Sequence, residues 1–204
     1  MSKKIYLFSL VLMALAFTAC SETETVDKYD NWQARNDAFI DSIANVHADL
    51  TTRGNLDSIH MIAYPKVPNY FKKKTPVGDG VIQDTDIRST DVVTVYYKGS
   101  YMNLGYGNGY VDNQGNYIGE IFDGTFTEGN PSIEYSQTAE FQVNGLVRGL
   151  WEVVQRMKVG ERKEVYVPWK YGYGSADYTP LYSSITIPGY STLIFDIQIL
   201  KCEK

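Results

Sequence analysis

Downstream of Asp91 the chain alternates its side chains with a period of two, and that period belongs to strands. Val93, Val95 and Tyr97 alternate with Val92, Thr94 and Tyr96. Near the end, Leu193, Phe195, Ile197 and Ile199 alternate with polar or smaller residues. Between these two runs, Val165 and Val167 mark a further strand, and a short helix fits Gly149–Met157. On that helix Leu146, Leu150, Val153 and Met157 fall on one side, at helical spacing. Strands enclosing a single short helix give an α+β domain.

Upstream, residues 27–50 read as an amphipathic helix. Trp32, Phe39, Ile43, Val46 and Leu50 recur at spacings of seven, four, three and four, with acids and amides on the other face and Gly54-Asn55 closing the segment. An isolated helix of this length is marginal in water, so its stripe must be buried. It can dock on its own domain or pair with the same helix of a second copy in a homodimer. Residues 60–91 are broken by Pro65, Pro68, Pro76 and Gly78-Asp79-Gly80, with a short strand-like piece at Asn69–Lys72. A Tyr/Gly/Asn-rich stretch from Tyr101 to Gly119 reads as an inserted loop or irregular hairpin, with Asn113-Gln114-Gly115-Asn116 as a turn. No internal repeat is present.

The first residues carry a different message. Lys3 and Lys4 precede an uncharged run from Ile5 to Phe17, and Thr18-Ala19-Cys20 follows. A basic start, a short apolar run and small residues before a cut are the parts of a secretory signal. The run is shorter than the roughly 20 residues of a membrane span. Cys20 stands where a bacterial lipobox places the thiol that is acylated and becomes the new N-terminus. This implies a lipid-anchored protein of the cell envelope, in the outer membrane on its periplasmic or surface side. The acidic Ser21-Glu22-Thr23-Glu24 is either a surface-export signal or a solvated tether. Cys202 is the only other cysteine, so acylation of Cys20 leaves no internal disulfide. Removing residues 1–19 takes away two lysines and no acids, moving the formal charge from −5 to −7. A chain this acidic carries no electrostatic footprint for nucleic acid. The expected organisation is a signal peptide over 1–19, a tether and helix over 20–59, and a folded domain over 60–204.

Four segments, in order and at compatible spacing, resemble the FKBP-type peptidyl-prolyl cis-trans isomerases. Val95-Tyr96-Tyr97-Lys98-Gly99 resembles the family's V-x-Y-x-G strand, and Ile121-Phe122-Asp123 its F-D pair. The run AEFQVNGLVRGLWEVVQRMKVGERKEVYVP, residues 139–168, resembles the exported macrophage-infectivity-potentiator branch. Tyr171-Gly172-Tyr173-Gly174, Ile187-Pro188 and Thr192-Leu193-Ile194-Phe195-Asp196 complete the set, which covers residues 90–201.

The resemblance implies a twisted antiparallel sheet wrapped around the short helix, with an apolar pocket between them. Carried over position by position, catalytic Tyr97, Phe122, Asp123, Tyr173 and Phe195 line that pocket, with Leu146, Val147, Leu150 and Ile187 binding the substrate. The implied substrates are proline-containing polypeptides, and the implied role is assisting the folding of exported proteins. No nucleophile, metal or cofactor is needed. Rotation about X–Pro faces a barrier of about 18–20 kcal/mol that comes from amide resonance. The twisted amide has lost that resonance and is less polar, so a dry aromatic pocket binds it better than the planar one. Asp123 either orients Tyr97 or meets the twisted carbonyl, and the Tyr173 hydroxyl holds a substrate carbonyl.

Three departures from the family pattern stand out. Leu150 occupies the place of the tryptophan that usually floors the pocket, and Trp151 comes one residue, or about 100° of helix, later. Tyr178 or Tyr182 replaces a histidine often found in the loop from Ser175 to Thr186. Glu128 lies where a basic partner for Asp123 is expected. A second reading is therefore a binding module on the same scaffold, weak in catalysis, whose tyrosine-rich loops hold a peptide or glycan.

Overall fold

The computed structural model describes residues 29–52, 60–62, 69–78, 81–102, 120–127, 129–181 and 183–204. The signal-like segment with Cys20, the acidic stretch after it, Gly54-Asn55, Pro65, Pro68, the loop over 103–119, Glu128 and Tyr182 lie outside the described residues. In chain order the elements are helix α1 (Trp32–Thr52), strands β1 (His60–Ile62), β2 (Asn69–Lys74), β3 (Val92–Tyr101), β4 (Glu120–Gly124) and β5 (Ala139–Gln142), helix α2 (Arg148–Val154), and strands β6 (Arg162–Val167) and β7 (Leu193–Glu203).

The strands form one antiparallel sheet in the order β1-β2-β6-β7-β3-β4, with β5 also pairing β3. Its centre is the β3–β7 pair, which runs from Val92↔Glu203 to Tyr101↔Leu193 with one bulge between Thr94 and Val95. The far edge of β3 is shared: β5 covers Val92–Val95 and β4 covers Lys98–Tyr101. Both strands expected from alternation are present, and each is longer than the alternation alone marked. The period of two puts Val165, Val167, Phe195 and Ile197 on the face that α2 crosses.

Helix α2 begins one residue before the expected Gly149 and stays regular only to Val154. Tight turns from Arg156 to Val153 and from Met157 to Val154 carry the chain on to Met157, which is 1% exposed. Leu150 and Val153 are buried as expected, whereas Leu146 is half-buried.

The opposite face is covered in two parts. At one end lies α1, whose Phe39 meets Tyr166 edge-on at 6.2 Å and whose Trp32 reaches Tyr101 at 6.2 Å. The helix starts at Trp32 rather than 27, after Asn31 in a left-handed conformation with φ 51°. Its stripe is buried at Trp32, Phe39 and Ile43, but Val46 is 47% exposed, and it is the next residue, His47, that meets Tyr70 of β2, at 5.7 Å. Helix α1 falls in the same compact unit as the sheet, Asn31–Lys204.

At the other end is a buried ionic layer. The Arg162 guanidinium grips Asp196 with two bonds of 2.8 and 2.7 Å, Lys74 donates to the same carboxylate at 2.7 Å, and Tyr166 donates to Glu164. Forked pairing of this kind satisfies charges that burial would otherwise penalise. Burial raises the Asp196 pKa, yet Arg162 and Lys74 outweigh it and hold the carboxyl below its ordinary range.

Candidate active site

A cleft of about 170 Å³ opens between α2 and the sheet. Strand β3 supplies Tyr97, β4 supplies Phe122 and Asp123, and β7 supplies Phe195 and Ile197. Leu146 and Val147 close the near side as the chain enters α2, and Leu150 from that helix forms the floor.

The walls are rings set at right angles. Phe122 meets Phe195 at 5.9 Å and 87°, and Tyr173 at 6.3 Å and 75°, while Tyr97 meets Phe141 at 5.0 Å and 84°. Edge-to-face contacts suit aromatic quadrupoles and fix ring orientation beyond what area burial gives. Gly99 makes this packing feasible. It is in register with both Asp123 and Phe195, and a Cβ there would lie 2.7 Å from Phe122 Cζ and 3.1 Å from Phe195 Cε1.

Two hydroxyls and one carboxylate interrupt the apolar lining. The Tyr97 hydroxyl neighbours the Asp123 carboxylate; burial first and then that carboxylate drive the phenol pKa far above its ordinary value. Asp123 itself is exposed and accepts the Gly124 N–H at 2.9 Å. Among the described residues no cation pairs with it. Tyr173 is pushed up to about 12, by burial first and then by Tyr178 and Asp123. Both phenols thus remain protonated donors at neutral pH.

Tyr173 sits just after a 3-10 turn at Trp169–Tyr171, in a loop that Gly174 bends with φ 86°. Its ring lies on that of Tyr178, centroids 3.9 Å apart and planes 13° from parallel. Tyr178 is held by a two-way backbone bridge: its N–H donates to Ile187 O at 2.9 Å, and the Ile187 N–H donates back at 2.8 Å.

Of the nine residues expected from the sequence, Tyr97, Phe122, Asp123, Leu146, Val147, Leu150, Tyr173 and Phe195 come together around the cleft. Ile187 does not line it. At 1% exposure, its side chain is buried and its backbone anchors Tyr178 instead. Phe141, Gly145, Tyr178 and Ile197 complete the lining. Ile197 was accessible to sequence reasoning, since it follows Phe195 by two and shares its face of the strand. Phe141 had no periodicity to mark it, because β5 spans only four residues; its signal lay in the motif of the run 139–168 that resembles the family. Of the Tyr178-or-Tyr182 alternative, Tyr178 lines the cleft and Tyr182 lies outside the described residues. Leu150, 3% exposed, lines the cleft floor, and Trp151 does not line the cleft.

Comparison with known proteins bears on the same region. Residues 83–200 match the family described as FKBP-type peptidyl-prolyl cis-trans isomerase. An FKBP-type 22 kDa peptidyl-prolyl cis-trans isomerase of Escherichia coli is 33% identical over 85 residues, 42% of this chain and 38% of that protein. FK506-binding protein 1 of Saccharomyces cerevisiae is 29% identical over 125 residues, 61% of this chain and 84% of that protein. The chain spans well under half the length of the first bacterial relatives it matches. Among solved structures, a peptidyl-prolyl cis-trans isomerase from Pseudomonas syringae pv. tomato superposes with a TM-score of 0.50 at 16% identity, covering 83% of this chain and 96% of that one. That likeness is one of fold.

Proposed function

The chain belongs to the FKBP-type peptidyl-prolyl cis-trans isomerase family, and we propose that it catalyses rotation about X–Pro bonds in exported polypeptides. The observation that carries this reading is the composition of the cleft: crossed aromatic walls, with the protonated hydroxyls of Tyr97 and Tyr173 at the rim. A proline ring is apolar and fits between Tyr97, Phe122 and Phe195. The planar amide, with its charge separation, gains little from such a wall, whereas the twisted amide loses less on leaving water. The cleft therefore binds the twisted state more tightly than the planar one, which is what lowers a barrier. Tyr173 is placed to donate to a substrate carbonyl, holding the peptide while the bond rotates. Asp123 keeps the Tyr97 hydroxyl directed toward the rim, so its role is orientation.

The finer reading is that of a lipid-anchored, macrophage-infectivity-potentiator-like enzyme. The Ile5–Phe17 run and the lipobox-like position of Cys20 support anchoring to the envelope, with the domain facing exported clients. Isomerisation of a proline tetrapeptide by residues 21–204 tests the chemistry, beside Asp123→Ala and Tyr173→Phe. Palmitate labelling of the full chain against Cys20→Ser tests the anchor. A loss of rate in both cleft variants supports the reading, and a rate at the uncatalysed background in a folded sample removes it. The aliphatic Leu150 floor favours the second reading to be kept, a weakly catalytic scaffold that binds peptide or glycan through its tyrosine-rich loops. Background-level catalysis with retained peptide or glycan binding would establish that reading instead.

A further inference from the structure

Helix α1 touches neither the cleft nor α2 among the contacts described, yet its first two turns hold both ends of the loop that carries Tyr173 and Tyr178. At the entry to that loop, Trp169 Nε1 donates to Asp37 Oδ1 at 2.8 Å. At the exit, Trp32 Nε1 donates to Ser191 Oγ at 3.0 Å, and the Thr192 N–H donates to Asn36 Oδ1 at 2.6 Å. The Asn36 amide is itself fixed, since its Nδ2 donates to Trp32 O at 2.9 Å. Asn36 and Thr192 are fully buried, and Ser191 is 3% exposed.

Between these points the neck of the loop is cross-tied. Trp169 meets Tyr190 edge-on at 4.8 Å, the Gly174 N–H donates to Trp169 O at 3.0 Å, and the Tyr190 N–H donates to Gly174 O at 2.8 Å. Tyr190 has φ 63°, a left-handed conformation that a bulky residue adopts only when its surroundings impose it. The neck thus stores strain that something must hold, and α1 grips it from both sides.

We propose that Trp32, Asn36 and Asp37 are positioning residues for catalysis: α1 clamps the neck of the loop and thereby keeps Tyr173 and Tyr178 stacked at the cleft. This rests on the isomerase reading of the cleft. A long loop with free ends samples many conformers, and each reduces the fraction in which a donor meets its substrate. Fastening both ends removes those conformers before substrate arrives. The helix Trp32–Thr52 is then an integral part of the site and belongs with the domain that carries it.

The test uses the full chain. Trp32→Phe with Asp37→Ala removes the indole donor and the carboxylate while keeping an aromatic ring against Tyr101, and Val46→Ala on the exposed part of the same helix is the control. Amide exchange of Tyr178 and Ile187 is read together with kcat and KM for a proline tetrapeptide. The expected result is at least a tenfold loss of protection at those two amides, with protection in β3 and β7 unchanged, and a severalfold rise in KM with a smaller change in kcat. Restoring the carboxylate as Trp32→Phe with Asp37→Glu should recover part of both effects, and Val46→Ala should show neither. Unchanged protection at Tyr178 and Ile187 would overturn the proposal. So would a uniform loss that includes β3 and β7, or lost protection with unaltered kinetics. If the unsubstituted protein shows no isomerisation, the reading of the cleft falls, while the exchange comparison still decides whether α1 orders the loop.

Discussion

Tyr178 lies flat on Tyr173, centroids 3.9 Å apart, and the stack ties a ring that lines the cleft to a backbone bridge at Ile187. Aromatic pairs are worth about 0.5–1.5 kcal/mol beyond the area they bury. Tyr178→Ala is therefore expected to lower kcat/KM by roughly 2- to 12-fold. Tyr178→Phe keeps the stacking face and should stay near the unsubstituted value. Steady-state assays on a proline tetrapeptide distinguish the two.

The two cleft phenols set the alkaline behaviour. Burial raises Tyr173 to about 12 and Tyr97 further. A folded pKa above the unfolded one contributes stability that is present below about pH 10 and is lost as pH rises through the folded value. Activity should follow the same groups. We expect kcat/KM to stay flat from neutrality to pH 10, where an ordinary tyrosine is half ionised. A pH-rate profile with a midpoint near 10 would contradict the donor role given to these hydroxyls.

Acid acts on the other face of the sheet. The Asp196 carboxyl is desolvated but held below its ordinary range by Arg162 and Lys74. Its contribution to stability is therefore present above the unfolded carboxylate value of about 3.9 and is lost as pH falls through the lower folded value. Arg162→Met strips the forked partner from a buried charge and is expected to cost about 3–5 kcal/mol near neutrality. Urea unfolding at pH 7 and pH 3 measures both effects. The loss on acidification should be smaller in the variant than in the unsubstituted protein.

Leu150 joins fold and site. It is 3% exposed and forms the cleft floor. Leu150→Ala is expected to cost about 2–5 kcal/mol, from lost transfer energy and the cavity left behind. If the cleft takes a proline ring as proposed, affinity for peptide should fall as well. Denaturant unfolding and peptide titration at a temperature where the variant is folded separate these effects.

How legible the molecule was depended on how one-sided each element is. β3 and β7 pair along most of their length. β7 alternates clearly although both its faces are buried, because the face under α2 is apolar and the other carries Asp196 and Gln198. β6 gave only Val165 and Val167, since its other face buries Arg162, Glu164 and Tyr166 under the ionic layer and erases the alternation. In α1 the stripe ran from Trp32 to Phe39 with a gap of seven. The missing turn is Asn36, which is polar, fully buried and bonded to Thr192, and hydrophobic periodicity cannot see such a residue. Val46 was expected inside and lies half outside, because the helix turns His47 rather than Val46 toward Tyr70 of β2. At the site, motif positions found the walls. Ile187 was misplaced because its partner, Tyr178, comes from across the loop, and that bridge is a backbone contact with no sequence signature.

The most direct test of the account is exchange spectroscopy on a proline tetrapeptide with the purified protein beside Tyr97→Phe and Tyr173→Phe. The account predicts cis–trans exchange well above background for the unsubstituted protein. Each variant should be reduced by about 2- to 12-fold, as the loss of one net hydrogen bond implies. Equal exchange with and without folded protein would contradict it.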